Sequence, residues 1–307
     1  MVQSDKQAFR YELCHKPKKQ WGIFFMLLPI VLYLFFIHYV PLIGWYLAFI
    51  EYKVGKPFLE CEFVGLNNFR ALFKTPAFAR ALSNTLIYAV IKYFMLLLPP
   101  IFAIMLNEIR NRYFKKFVQT FTTLPHFISW VIIYGLAYAL FSTDGLVNQF
   151  MAIFGKSQKL LTDKKAVYAF QSALYLWKVL GWNSIIYIAA ITGIDQTLYE
   201  AAAIDGAGHF KQALHVTLPG ILPTLFVLLL LGIADLINNG MDEYYVFQNS
   251  ITYNKLETLE LYTYKQGVKL MDYSYATAVG IFKSVVSVSL LFITNYFAKK
   301  VRGNSIV

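Results

Sequence analysis

The sequence predicts an all-α integral membrane protein of about six transmembrane helices, with a short cytoplasmic helix-turn-helix between the fourth and fifth. Three observations carry this. Of the 307 residues, 58% are hydrophobic and 15% are charged, where a soluble domain carries about 25% charged residues. The apolar residues gather into six stretches, each long enough to supply the ~20 residues that a helix needs to cross a bilayer. Between the fourth and fifth lies a polar, alanine-rich interruption, EAAAIDGAGHFKQALHVTLP (200–219).

The elements follow in chain order. A basic tail, 1–20, holds Lys6, Arg10, Lys16, Lys18 and Lys19. The first span, 20–50, contains no Asp, Glu, Lys or Arg. It is too long for a signal-peptide core of about 7–15 residues, and no A-x-A cleavage site follows it. With its outer segment it makes a unit at 21–80. Five spans follow within 81–298: 81–107, interrupted only by Lys92; 117–143, uncharged; 166–194, carrying Lys178; 212–234, ending at Asp235; and 273–298, carrying Lys283. Pro99, Pro100, Pro125 and Pro223 fall inside spans, where neighbouring helices can satisfy the freed backbone groups. A short tail, 299–307, ends the chain.

Six spans put both termini on one side. The basic clusters Lys16/Lys18/Lys19, Arg110/Arg112/Lys115/Lys116 and Lys299/Lys300/Arg302 abut spans on that side, which the positive-inside rule makes cytoplasmic. The outer segments, 51–80, 144–165 and 236–272, are long. Within them FVGLNNFRALF (63–73) and LVNQFMAIFG (146–155) read as amphipathic stretches, either short helices on the surface or a platform for a partner.

Several function classes lose support. The net charge of +11 serves topology and anionic lipid, since no soluble basic domain is present to hold nucleic acid. Cys14 and Cys61 fall on opposite sides of the membrane, so no disulfide framework is expected. His15, His38, His126, His209 and His215 are scattered and form no metal-ligand set. An intramembrane enzyme would show a catalytic cluster at membrane depth. An ion-coupled transporter would show internal repeats with buried carboxylates, and only Asp235 stands near a span.

The 195–219 segment has its own local logic. Thr197 and Glu200 have the spacing of a capping box, and Ala201, Ala202 and Ala203 are strong helix formers. Gly206 and Gly208 can take the left-handed conformation that ends a helix. The spacing therefore predicts a helix over 198–207. A second helical stretch, 210–216, is expected to break near Leu218-Pro219, where the proline begins the next element. The small side chains would let a partner approach closely, although a simple capped connection fits the spacing equally well.

The pattern E-A-A-x-x-D-G-A, ten residues, then L-P is carried by Glu200, Ala201, Ala202, Asp205, Gly206, Ala207, Leu218 and Pro219. It resembles the cytoplasmic EAA loop of permease subunits of ATP-binding-cassette (ABC) importers. FVGLNNFRALF and YSYATAVGIFKSVVS (273–287) are similar to the carbohydrate-uptake branch of these permeases, and the latter, with NNGMDEYYVFQN (238–249), to its subfamily handling polysaccharide fragments and complex oligosaccharides. The resemblance implies a multi-pass protein of the bacterial plasma membrane, with this loop as the coupling helix docked in a cleft of a cytoplasmic ATPase. Glu200 would face basic or polar groups of that cleft, and Gly206 would permit the turn. It also implies a homologous second permease subunit, two ATPase subunits, an extracytoplasmic solute-binding protein and a carbohydrate substrate. No G-x-x-x-x-G-K-[ST] sequence is present. No cofactor is expected in this chain, and ATP and Mg would be bound by the ATPase subunits.

Ionisable residues at membrane depth are candidates for a translocation pathway: Lys92, Lys178, Asp235 and Lys283. Lys178 and Lys283 either pair with carboxylates, make interhelical bonds or snorkel, or bind a polar or acidic sugar. Tyr244, Tyr245, Phe247, Gln248 and Asn249 in the third outer segment offer sugar-binding chemistry, as do Trp177, Trp182 and Asn183 in the fourth span. Interfacial aromatic belts are the other reading of these rings.

Overall fold

The computed structural model describes residues 17–154 and 160–302. The tail residues Lys6, Arg10, Cys14, His15 and Lys16, together with Gly155 and 303–307, lie outside them. Six helical spans are long and apolar enough to cross a membrane: Trp21–Phe49, Pro76–Asn107, Trp130–Ala152, Val167–Thr192, His209–Ile233 and Tyr273–Tyr296.

The first span is helix α1 (Pro17–His38) followed by a 3-10 stretch, Val40–Phe49. From Trp21 to Tyr46 every residue but Leu28 is largely exposed. Contact with the rest of the chain begins lower down, where the 3-10 stretch lies on the last span and Ala48 is fully buried. A two-stranded ribbon, β1 (Ile50–Glu51) with β2 (Glu62–Phe63), then reverses the chain by antiparallel pairing of Ile50 with Phe63. It leads into α2 (Asn67–Lys74), the amphipathic helix expected over 63–73. Leu72 is its buried anchor, and the Asn68 side chain donates to the Ala48 carbonyl at 2.9 Å.

The second span is two helices, α3 (Pro76–Met95) and α4 (Leu98–Asn107). Pro99 and Pro100 have no N–H for the carbonyls four residues back, yet they suit the first turn of a new helix. The third span departs from the predicted 117–143. Asn111 caps α5 (Arg112–Thr123), accepting from Tyr113 N at 2.9 Å and Phe114 N at 3.1 Å. A 3-10 turn at Leu124–Phe127, carrying Pro125, then breaks the helix, and the chain restarts as α6 (Trp130–Phe141) and α7 (Leu146–Ala152). The lack of Asp, Glu, Lys and Arg over 117–143 makes the stretch read as one span, although Thr122, Thr123 and Pro125 mark the break and the strongly apolar run begins only after it.

The fourth span, α8 (Val167–Thr192), is unbroken and central, lying along α4 and α5. Gly181 makes the second contact possible: a Cβ there would sit 2.3 Å from the Thr122 carbonyl oxygen. The fifth and sixth spans end in α11 (Leu218–Ala234) and α15 (Tyr273–Arg302), which pack on each other. Helices α9 and α10, between the fourth and fifth spans, belong to the polar loop described below.

The segment 236–272, expected as a long outer loop, is more than an exposed connection. It folds into the bundle as α12 (Asp242–Phe247), α13 (Tyr253–Leu256) and α14 (Leu259–Tyr264). Tyr244, Leu259 and Leu261 are fully buried. The reason is on α3, which presents polar groups to it. Lys92 Nζ meets Glu243 Oε2 at 2.9 Å and the Asn239 carbonyl at 3.2 Å. The Asn84 amide donates to the Asn254 and Glu257 carbonyls at 2.7 and 3.0 Å. Thr85 Oγ1 accepts from Leu259 N at 2.7 Å, and Thr85 O accepts from the Asn239 side chain at 2.9 Å. Glu257 is held by Arg80 at 3.2 Å and Lys265 at 2.9 Å. Irregular backbone is tolerated at membrane depth only where protein satisfies it, and α3 does so here.

The Lys92 and Glu243 side chains are 10% and 2% exposed, so removing one partner strands a buried charge. Lys92→Met is expected to cost about 3–5 kcal/mol, and Lys92→Met combined with Glu243→Met to recover most of it. Thermal unfolding in detergent measures both; equal losses in the single and double variants would contradict this.

Candidate functional site

The polar loop forms by local chemistry that differs from the predicted capping box in one respect. Helix α9 (Gln196–Ile204) is capped by Asp195, two residues before Thr197, with its carboxylate accepting from Thr197 N at 3.0 Å. Hydrogen bonds from the Thr197 amide and hydroxyl hold the Asp195 carboxyl below its ordinary range. Glu200 is thereby released from capping. It is exposed and has no ion pair or hydrogen bond among the described residues.

The helix stops at Gly206, whose φ is +76°. Ala207 N donates to Ala202 O at 2.9 Å and Gly206 N to Ala203 O at 3.0 Å, the paired bonds of a Schellman ending. The chain then enters α10 (His209–Gln212) and a π turn, Ala213–Thr217, that runs straight into α11. The expected break at Leu218-Pro219 therefore does not occur. In the π turn Leu218 N reaches back to Ala213 O, and this wider winding accommodates the proline that an α-helical register would exclude.

Two contacts fix the loop to the bundle. The Tyr199 hydroxyl and Thr217 Oγ1 are 2.9 Å apart, and Thr217 is fully buried at the base of α11. His209 lies between Arg110, 2.8 Å from Nε2, and Glu108, 3.4 Å from Nδ1. A cleft of about 470 Å³ separates these contacts, lined by Asn107, Glu108, Arg110, Gln196, Tyr199 and His209 among others. The outer surface of the loop carries Glu200, Ala201, Asp205 and Gly206, all exposed, with Ala202 and Ala207 half-buried behind them. Ile204 and Phe210 stand out at 87% and 82% exposure. Leu218 is half-buried and Pro219 exposed on the following helix.

The structure separates the membrane-depth candidates. Lys178 donates to three main-chain carbonyls of the break between α5 and α6, Pro125 at 3.2 Å, His126 at 2.9 Å and Ile128. Its ammonium thus ties the fourth span to that break, where Pro125 O also accepts from Ile128 N at 3.2 Å. Trp182 stacks on His126 at 4.4 Å between ring centroids and meets the edge of Phe127; the neighbouring Asn183 is half-buried. Tyr244 is not an outer sugar platform: it is fully buried, its ring 4.7 Å from that of Tyr88. Phe247 is buried with it, whereas Tyr245 is exposed and packs on Tyr264. Asp235 is exposed at the end of α11 and accepts from the Asn238 amide. Lys283 pairs with Glu260. Sequence reasoning missed the carboxylates Glu243, Glu257 and Glu260 as partners. The signal available was their clustering within 236–272, beside spans whose cations lacked partners.

A six-span helical chain that exposes a capped helix-turn-helix at one end has the form of a membrane component of a transport system. The chain belongs to the family of binding-protein-dependent transport system inner membrane components, whose model matches residues 95–303. It is a permease subunit of an ABC importer, not an enzyme. It is 39% identical over 301 residues to the polygalacturonan/rhamnogalacturonan transport system permease protein YteP of Bacillus subtilis (strain 168), covering 96% of this chain and 93% of that one. Protein LplB of the same organism is 38% identical over 289 residues, covering 92% and 90%. Among solved structures, it is similar to a chain of a bacterial alginate ABC transporter in complex with an alginate pentasaccharide-bound periplasmic protein. The TM-score is 0.85 at 32% identity, covering 94% of this chain and 98% of that one.

Gly206 stands in open space, with nothing within 4 Å of where a Cβ would lie, so its requirement is conformational alone. Gly206→Ala is expected to destabilise the α9 ending by about 1–2 kcal/mol, and Gly206→Asn by less. Hydrogen exchange of the Gly206 and Ala207 amides reads this directly; unchanged protection in the alanine variant would contradict it.

Proposed function

We propose that this chain forms half of the translocation pathway for an oligosaccharide or polysaccharide fragment. A homologous second permease subunit forms the other half, and an extracytoplasmic solute-binding protein delivers the substrate. Two cytoplasmic ATPase subunits bind ATP and Mg and engage the 198–219 loop, and both termini are cytoplasmic. The observation that carries the coupling role is the exposed, acid-bearing α9, braced at Tyr199–Thr217 to a helix continuous with the fifth span. A load applied at Glu200 reaches the bundle through that brace. ATP-driven closure of the ATPase pair would draw the loops together and shift the spans between inward- and outward-facing arrangements.

The topology has its own support. Arg110 meets His209, so the 108–111 and 195–208 connections share one end of the bundle. The Asn249 amide donates to Leu161 O at 3.0 Å, so the two later outer segments meet as well. The saccharide assignment rests on the relatives named for polygalacturonan, rhamnogalacturonan and arabinooligosaccharides. A relative named for sn-glycerol-3-phosphate is 25% identical, which makes a small phosphorylated solute the weaker reading.

Gentle solubilisation from the native membrane, followed by mass spectrometry of what accompanies the chain, tests this. An ATPase subunit, a second permease and a binding protein are expected. Glu200→Lys is expected to lose the ATPase subunit while keeping the second permease. Isolation of the chain alone under several mild conditions would overturn the reading.

A further inference from the structure

Lys92, Lys178 and Lys283 lie well inside the apolar spans, and their surroundings differ in one way that matters for a ligand. Lys92 is sealed with Glu243, and Lys178 is consumed by backbone carbonyls. Lys283 is different: it and its partner Glu260 are 21% and 22% exposed. Both open onto a groove of about 500 Å³ between α14 and α15, lined by Asn238, Thr263, Ser284 and Ser287 as well. A Cβ added at Gly280, which also lines the groove, would meet no atom within 4 Å, so its floor is open.

Three polar groups of this groove are arranged as acceptors, while the Ser287 hydroxyl donates to no group among the described residues. Thr263 donates its proton to Leu259 O at 2.7 Å, and Ser284 donates its own to Gly280 O at 3.0 Å. The Asn238 amide nitrogen is turned to Asp235, which leaves its carbonyl oxygen for the groove. What such a lining recognises is a molecule rich in hydroxyl donors. One cation stands among these acceptors, and a carboxylate already holds it. A ligand bearing both hydroxyls and a carboxylate matches every group present.

We propose that this groove is a subsite for an acidic saccharide, in which a uronate carboxylate displaces Glu260 from Lys283 while sugar hydroxyls donate to Thr263, Ser284 and Asn238. The inference rests on the saccharide reading above and adds the charge of the substrate and the residue that reads it. Displacement gives Lys283 a new carboxylate but leaves Glu260 without its cation; Glu260 is 22% exposed to the groove, so water takes over part of that role and the exchange binds the ligand only weakly. That suits a pathway, where a site must admit its cargo and also release it. Glu260 keeps Lys283 compensated between passages, because an unpaired charge at membrane depth is costly.

The test uses proteoliposomes containing the complete importer, supplied with its binding protein and ATP. The probes are labelled trigalacturonate and its carboxyl-reduced counterpart, a galactotriose. Lys283→Met is expected to slow trigalacturonate uptake about tenfold, the loss of one charge-assisted hydrogen bond. Glu260→Gln is expected to retain uptake, because Lys283 remains. The double variant Lys283→Met/Glu260→Met, which replaces the pair with apolar groups and leaves no stranded charge, is expected to stay as slow as Lys283→Met. A pair that only holds the fold would give the opposite pattern: both single variants impaired and the double variant restored. That pattern overturns the proposal. Wild-type uptake of galactotriose but not trigalacturonate overturns it while leaving the saccharide reading intact. Uptake of neither probe overturns both.

Discussion

The pairing of Lys92 with Glu243 anchors the 236–272 segment to the second span. Lipid is as apolar as leucine, so burial alone gives helices no reason to choose one neighbour over another. Polar contacts make that choice. On α3 the residues Arg80, Asn84, Thr85 and Lys92 stand at helical spacing along one side, and each one holds a point on the 236–272 segment. The result is a folded plug of three short helices held in place by those partners. Tyr88, from the same helix, packs between Tyr244 and Tyr168, so the apolar core is built around the polar seam.

The same seam explains why the charges in the spans have such different fates. A lysine in hydrocarbon must find electrons somewhere. Lys92 takes a carboxylate and two aromatic faces, with Tyr175 4.0 Å and Tyr244 5.1 Å from its nitrogen. Lys178 takes three carbonyls of a proline-bearing turn, one of which, Pro125 O, also accepts from Ile128 N. In each case the lysine and the irregularity it serves solve one another's problem. The residue that looks anomalous in a hydropathy plot is the one that ties an irregular segment to a span.

How much of this is legible in the sequence follows from the range of the interactions involved. The spans are legible because membrane thickness imposes a length on uncharged stretches. The loop at 200–219 is legible because its turn is written locally, in Gly206 and the alanines before it. The cap falls two residues earlier than the spacing suggests because Asp195 and Thr197 both suit the task, and the carboxylate, being earlier, captures the free amide. The 236–272 segment reads as an outer loop because Asp242, Glu243, Glu257 and Glu260 make it polar. Their partners Lys92, Arg80 and Lys283 come from other spans, and no local pattern announces a pairing such as Lys92 with Glu243, 151 residues apart. Of the candidate site, the exposed loop face is visible in the sequence and the burial of Tyr244 is not.

The uninterrupted run from His209 to Ile233 has a mechanical consequence. Its 25 residues make a rod of about 37 Å at a rise of about 1.5 Å per residue. Had the chain broken at Pro219, a push on the 200–208 turn would be absorbed at a hinge. With the π turn bridging that point, the run has no break there. A tilt of about 10° at the loop displaces its far end by about 6 Å, the width of a single sugar ring.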